Sequence, residues 1–226
     1  MSSPLRTLAY RHRWFYEAVT AASSLSVGGP ERLRQLAADW LAAELPAGSP
    51  VLDLCCGGGE AAIALASRGL QVSGLDVAPR ALDQARTRAR RANLEITWIE
   101  ALAEHPPLPD SSQAGIQISL ALHEFSVSER RAVLAACQRL LQPGGYLAVV
   151  DLHPARGAMV LPQQLFCALF ETETALDFLA CDLGDAIQAA GLDVVRCQTL
   201  AGGALQRVLA RKPPAPHTPP GQLAAE

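Results

Sequence analysis

Asp53, Gly57, Gly59 and Asp76 combine residue types and spacing that suit a charged ligand carrying a sugar. Asp53 lies in the apolar run Val51-Leu52-Asp53-Leu54, and Gly57-Gly58-Gly59 follows it after Cys55-Cys56. Glycine lets a backbone turn sharply and admits a ligand where any other residue would place a Cβ. A carboxylate ahead of such a turn can orient the loop or meet the ammonium of an amino-acid-like ligand. Asp76 ends the next apolar stretch, where a carboxylate can accept two hydrogen bonds from vicinal ribose hydroxyls. A second set lies further on, with His123 in Leu122-His123-Glu124-Phe125 and His153 in Asp151-Leu152-His153. An imidazole can take a proton from a phenolic acceptor near neutral pH, or can simply tie down a strand end.

These residues need a frame that carries distant loops to one edge. From Pro50 onward, short apolar runs alternate with helical patterns. Strands are expected over 51–54, 70–75, 96–99, 115–120 and 146–150, the last after Pro143-Gly144-Gly145. Helices are expected over 60–67, 79–92 and a segment capped by Ser128 that runs to Leu141. The 79–92 helix turns Leu82, Ala85 and Ala89 inward, and its five arginines (80, 86, 88, 90, 91) read as a solvated face. Five strands alternating with helices imply an α/β fold, a parallel sheet with helices on both faces. Residues 193–200 and 205–212 flank Ala201-Gly202-Gly203-Ala204 and predict a closing antiparallel hairpin. In such a sheet, ligands sit beyond the carboxyl ends of the strands near the switch point, where Asp53, the glycines and Asp76 fall.

Ahead of this domain, residues 1–49 read as an N-terminal helical cap. A helix is expected over 14–25, and Pro30 opens another to about Leu45 with Leu33, Leu36, Ala37, Trp40 and Leu41 at helical spacing. Residues 50–212 form the ligand-binding domain, with 152–180 inserted as a lid. The proline-rich tail 213–226 has no means of packing and is expected to be disordered. The chain has 226 residues and a formal net charge of −3, which argues against a general nucleic-acid binder. None of its six cysteines has the spacing of a metal knuckle, so reduced thiols in a cytoplasmic protein are expected and no metal is. No apolar run is long enough to span a bilayer, which leaves peripheral membrane contact open.

The loop Gly57-x-Gly59-x-x-Ala62 also satisfies a loose dinucleotide fingerprint, which keeps a nicotinamide-dependent oxidoreductase in view. Three features favour a sulfonium cofactor instead: the charge of Asp53 ahead of the glycines, Pro143-Gly144-Gly145 before the fifth strand, and the closing hairpin.

On those residues the chain resembles the class I S-adenosylmethionine-dependent methyltransferases over roughly residues 50–150. Val51-Leu52-Asp53-Leu54-Cys55-Cys56-Gly57-Gly58-Gly59-Glu60 matches the family's first motif, and Gly74-Leu75-Asp76-Val77-Ala78-Pro79 its second. Pro107-Leu108-Pro109-Asp110 and Leu140-Leu141-Gln142-Pro143-Gly144-Gly145-Tyr146 match later segments. The resemblance implies a Rossmann-like seven-stranded sheet, five parallel strands plus the C-terminal antiparallel hairpin. It implies S-adenosyl-L-methionine as cofactor, contacted by Asp53, Cys55, Gly57, Gly59, Asp76, Val77, Leu102, Ala103 and Leu120. It also places His123 and His153 on the acceptor side as candidate bases. Cys55 stands where the family usually has glycine, and Leu102 where it often has an aspartate for the adenine amino group; a backbone N–H of Ala103 remains for that ring. The missing aspartate also suits a cofactor-binding protein without catalysis. Paired Cys55-Cys56 and the stretch from Trp14 to Gly28 are similar to the menaquinone and ubiquinone C-methyltransferases. That implies a small apolar acceptor, a prenylated quinol or phenol, walled by Trp14, Phe15, Tyr16, Phe166 and Phe170.

Overall fold

The computed structural model describes residues 27–157, 160–161, 163–164 and 173–215. The expected helix over 14–25 and the five aromatic residues named as acceptor walls lie outside the described residues, as does most of the expected tail.

Helix α1 (Pro30–Glu44) leads into β1 (Pro50–Leu54), followed by α2 (Glu60–Ala66), β2 (Gln71–Asp76), α3 (Pro79–Arg91) and β3 (Thr97–Glu100). Then come β4 (Gln113–Ser119), a 3₁₀ turn (Leu122–Glu124), α4 (Val127–Leu140) and β5 (Leu141–Leu152). Helices α5 (Glu173–Leu179) and α6 (Leu183–Ala189) precede β6 (Asp193–Leu200) and β7 (Leu205–Arg211). The seven strands form one sheet in the order β3-β2-β1-β4-β5-β7-β6. β1 to β5 run parallel, and β7 inserts antiparallel between β5 and β6. The chain order therefore reverses at β1 and β4, and the cleft beyond their carboxyl ends is the fold's natural ligand site.

Alternate residues of the central strands feed two separate cores. Leu52, Leu54, Ile116, Ile118, Leu147 and Val149 pack with Leu134 and Cys137 of α4, Phe178 of α5 and Ile187 of α6. Val51, Val72, Ala148 and Val150 pack on the other face with Leu36, Trp40 and Leu41 of α1 and Leu65 of α2. Helix α1 thus covers one face of the sheet, and no strand interior is left to solvent on both sides of β1. Trp40 is fastened by Arg207 on β7, whose guanidinium carbon stands 3.7 Å from the ring centroid. Such a contact adds about 0.5–2 kcal/mol to the apolar burial. No helix among the described residues is long and apolar enough to cross a membrane.

Two element ends differ from expectation. The cap of α4 is Ser126, not Ser128: its hydroxyl accepts from the Glu129 backbone N–H, and the Glu129 carboxylate accepts from the Ser126 N–H. The spacing of serine and glutamate by three residues is that of a capping box, which Ser128 could not form with Glu129. Strand β5 also begins earlier, because Leu141 pairs with Gln113 before Pro143-Gly144-Gly145 bulges out and pairing resumes at Tyr146 and Gly115. Lys212 holds this join by donating to the carbonyls of Gln138 and Leu141.

Ser126→Ala should lower the free energy of unfolding by about 1 kcal/mol, with Ser128→Ala costing clearly less; urea midpoints of the two variants check this.

Candidate functional site

The site begins with Asp53 and Gln117, register partners on β1 and β4 whose side chains leave the same face of the sheet. Gln117 Nε2 donates to Asp53 Oδ1 over 2.9 Å, and both side chains are buried. Asp53 Oδ2 and Gln117 Oε1 are also buried and meet no donor among the described residues. Removal from water pushes the Asp53 carboxyl up to about 7; the Gln117 amide and the Ala62 N–H pull it back, and nearby Asp76 and Glu60 push it further. Gln117 escaped the sequence reading, although a glutamine between Ile116 and Ile118 in a doubly covered strand needs a polar partner.

The loop after β1 is held in shape by Asp76. One carboxylate oxygen accepts from the Gly57 N–H at 2.8 Å and the other from the Ala78 N–H at 2.9 Å. Cys55, Gly57 and Gly59 all have positive φ, at 62°, 49° and 80°. Gly57 and Gly59 need glycine for different reasons. A Cβ on Gly59 would stand 2.7 Å from both the Ala85 side chain and the Trp98 ring, so this glycine lets α2 pack on α3 and β3. A Cβ on Gly57 would meet nothing within 4 Å, so its open side is available to a ligand. Burial, then the carboxylates of Asp53 and Asp76, push the Cys55 and Cys56 thiols up, which makes them packing residues.

Arg88 corrects the reading of the arginine helix as a wholly solvated face. It donates to the Gly58 carbonyl at 2.8 Å and pairs with Glu60 at 3.0 Å, tying α3 to the glycine loop. Its position on the side of α3 nearest α2 explains this, since the exposed Arg80, Arg90 and Arg91 point elsewhere.

Val77 and Leu102 follow β2 and β3 and are 59% and 53% exposed, high for apolar side chains. The Ala101 N–H donates to the Asp76 carbonyl, so the two segments run side by side, with Ala103 buried behind them. Leu120 has a positive φ of 55°, and its N–H donates to the Val150 carbonyl. That turn ends β4 and swings the 3₁₀ turn back across β5.

There His123 meets Asp151, with Nδ1 2.5 Å from Oδ1. Asp151 is fully buried, and its other oxygen accepts from the Leu122 N–H at 2.8 Å. The imidazole stands edge-on to Phe178, with ring centres 6.4 Å apart, and the Arg130 guanidinium lies over the same phenyl ring. Sequence reasoning named His123 but noted Asp151 only as a strand end. An acid closing the apolar run Leu147-Ala148-Val149-Val150 was the available signal. His153 goes elsewhere: its Nδ1 bonds to the Gly203 carbonyl at 2.6 Å, and its backbone N–H to the Ala204 carbonyl. His123 thus joins the β4–β5 site, while His153 anchors the connection between β6 and β7.

The Asp53 carboxyl binds its proton more tightly in the folded chain than in the unfolded one. That contribution to stability is complete below about pH 4 and is lost as pH rises through about 7. Asp53→Asn should therefore flatten the fall in stability between those values, read from urea midpoints across pH. Asp76→Ala should cost about 1–3 kcal/mol and speed amide exchange at Gly57 and Ala78.

Comparison with known proteins gives a consistent picture. Residues 51–145 match the family described as a methyltransferase domain. An uncharacterised methyltransferase of Synechocystis sp. is 40% identical over 212 residues, covering 93% of this chain and 97% of that protein. The 2-phytyl-1,4-naphtoquinone methyltransferase of Thermosynechococcus vestitus is 34% identical over 209 residues, covering 83% and 91%. Among solved structures, the 1,6-didemethyltoxoflavin-N1-methyltransferase of Burkholderia thailandensis, with S-adenosylhomocysteine bound, has the same fold. It aligns with a TM-score of 0.62 at 19% identity over 94% of this chain and 92% of that one.

Proposed function

For a chain that belongs to the class I S-adenosylmethionine-dependent methyltransferases, we propose an acceptor that is small and apolar, a prenylated quinol or phenol. The cofactor, when bound, supplies a methyl group on a sulfonium, open to direct displacement by a nucleophile. The nicotinamide alternative falls away with the family.

The residues at the carboxyl edge fit that cofactor. Asp53 offers a buried carboxylate oxygen without a donor among the described residues, suited to an ammonium, and Gly57 leaves open the space a side chain would take. Asp76 spends one lone pair of each oxygen on the loop and keeps another on each for ribose hydroxyls. Val77 and Leu102 supply exposed apolar surface for the two faces of adenine, and Ala103 a backbone edge. In this reading Cys55 and Leu120 line the methionine side, and Gly59 keeps the loop in shape.

The observation that carries the acceptor reading is the His123–Asp151 pair beyond β4 and β5. A phenol or quinol becomes a strong nucleophile only when its hydroxyl proton leaves. Asp151 holds Nδ1–H of the imidazole, directs its basic lone pair to Nε2, and stabilises the imidazolium that forms. His123 is then the base and Asp151 the positioning residue, while His153 braces the hairpin. Apolar surface lies on the same side, with Val127 on α4 and Leu176 on α5 both exposed, and α5 packs against the His123 turn. The Thermosynechococcus relative, named for a phytyl naphthoquinone, supports an acceptor of this class. The exposed Leu102, in place of an adenine-binding acid, favours as second reading a protein that binds cofactor without transferring the methyl.

Purified protein with S-adenosylmethionine should add one methyl group to prenylated quinols or phenols and little to unprenylated analogues, read by mass spectrometry. Methylation confined to unprenylated polar molecules overturns the acceptor class, and binding without methylation across the panel favours the second reading. His123→Gln should lower kcat by about 10²–10⁴ while leaving S-adenosylhomocysteine affinity unchanged; unaltered turnover sinks the proton-transfer role.

A further inference from the structure

Asp53 and Gln117 form a pair whose hydrogen bonding is incomplete in a specific way. The carboxylate and the carboxamide are joined at one end, Nε2–H to Oδ1, and the remaining oxygen of each group is buried with no donor among the described residues. A buried acceptor left without a donor is costly. A carboxyl group differs from a carboxylate by one O–H donor. One proton on Asp53 therefore supplies a donor that the pair lacks.

We propose that the Asp53–Gln117 pair stores one proton while the cofactor site is empty and releases it when the cofactor's ammonium docks on Asp53. This inference rests on the cofactor reading above. In the exchange, the O–H bond of the Asp53 carboxyl breaks, the proton passes to buffer, and the carboxylate so formed accepts from the ammonium. Gln117 keeps its Nε2–H bond to Oδ1 throughout.

The surroundings favour the stored state. From β2 the Asp76 carboxylate and from α2 the Glu60 carboxylate add negative potential; the Cys55 and Cys56 thiols beside it bring no positive charge. Only the Ala62 N–H and the Gln117 amide favour the ionised carboxylate, and neither is a full charge. The guanidiniums of Arg88 and Arg34 are paired with Glu60, so the cations already present answer that carboxylate and not Asp53. Burial raises the Asp53 carboxyl to about 7, which puts the exchange within the range where proteins are ordinarily handled.

Calorimetric titration of S-adenosylhomocysteine into the full chain at about pH 6, in phosphate and in MES, two buffers of different ionisation heat, counts the protons exchanged. The expectation is release of close to one proton per bound molecule at about pH 6, falling away as pH rises through about 7. Binding with heats independent of buffer at about pH 6 overturns the stored proton. Absence of binding in every buffer overturns the cofactor reading itself, so the two failures are distinct. Asp53→Asn should bind with no buffer dependence at any pH. Infrared difference spectra of the wild-type chain carrying isotope-labelled aspartate give a second test that needs no variant. A protonated-carboxyl band should be present before ligand addition at about pH 6 and absent afterwards; a spectrum without that band before addition counts against the proposal.

Discussion

Burial of β1 on both faces is the constraint from which the rest of this molecule follows. A strand flanked by β2 and β4, with α4 on one side and α1 and α2 on the other, has no solvent-facing position in its interior. Polar side chains in such a strand are costly unless they are paired or stand where the strand runs out. Asp53 is one residue from the end of β1, Asp76 ends β2, and Asp151 is one residue from the end of β5. Each is answered by hydrogen-bond partners: Gln117 for Asp53, the Gly57 and Ala78 amides for Asp76, and His123 for Asp151. Chemistry concentrates at the carboxyl edge because the fold leaves it nowhere else to go.

The loops at that edge trade conformational ease for position. Leu120 and Cys55 hold left-handed backbone that side chains of their kind seldom adopt, and both stand where a strand gives way to the site. At Leu120 the unusual turn carries His123 back over β5, so the imidazole comes to the carboxylate of a strand 28 residues later. At Cys55 it brings Gly57 within reach of Asp76. Arg88 fixes the outer side of the same loop, so the glycine run is braced from β2 and α3 together.

Much of this was legible in the chain because periodicity and turn chemistry are local. The alternation of apolar runs with helical patterns located all seven strands, and the glycine-rich hairpin predicted the antiparallel pair. Site residues at strand ends were legible for the same reason. What escaped was pairing across sequence distance. Gln117 and Asp151 matter through residues far away, and no local pattern says which carboxylate a given histidine or glutamine will meet. Arg88 was hidden differently, since five arginines on one helix look alike until packing singles out the one that turns toward α2. The capping box at Ser126 is local, and its signal is the reciprocal partner Glu129 three residues on.

Trp98 occupies a place with an optical consequence. Its indole fills the space that a side chain on Gly59 or on Gly74 would need, directly beneath the glycine loop. Trp40, by contrast, is clamped between α1 and the hairpin by Arg207 and Arg196. Indole emission depends on the dipoles and solvent around the ring, so the two tryptophans report on different regions, one on the loop and one on the seam where α1 meets the sheet. With Trp14 replaced by phenylalanine, Trp98 would report on the glycine loop and Trp40 on the α1 seam, one emission serving as reference for the other.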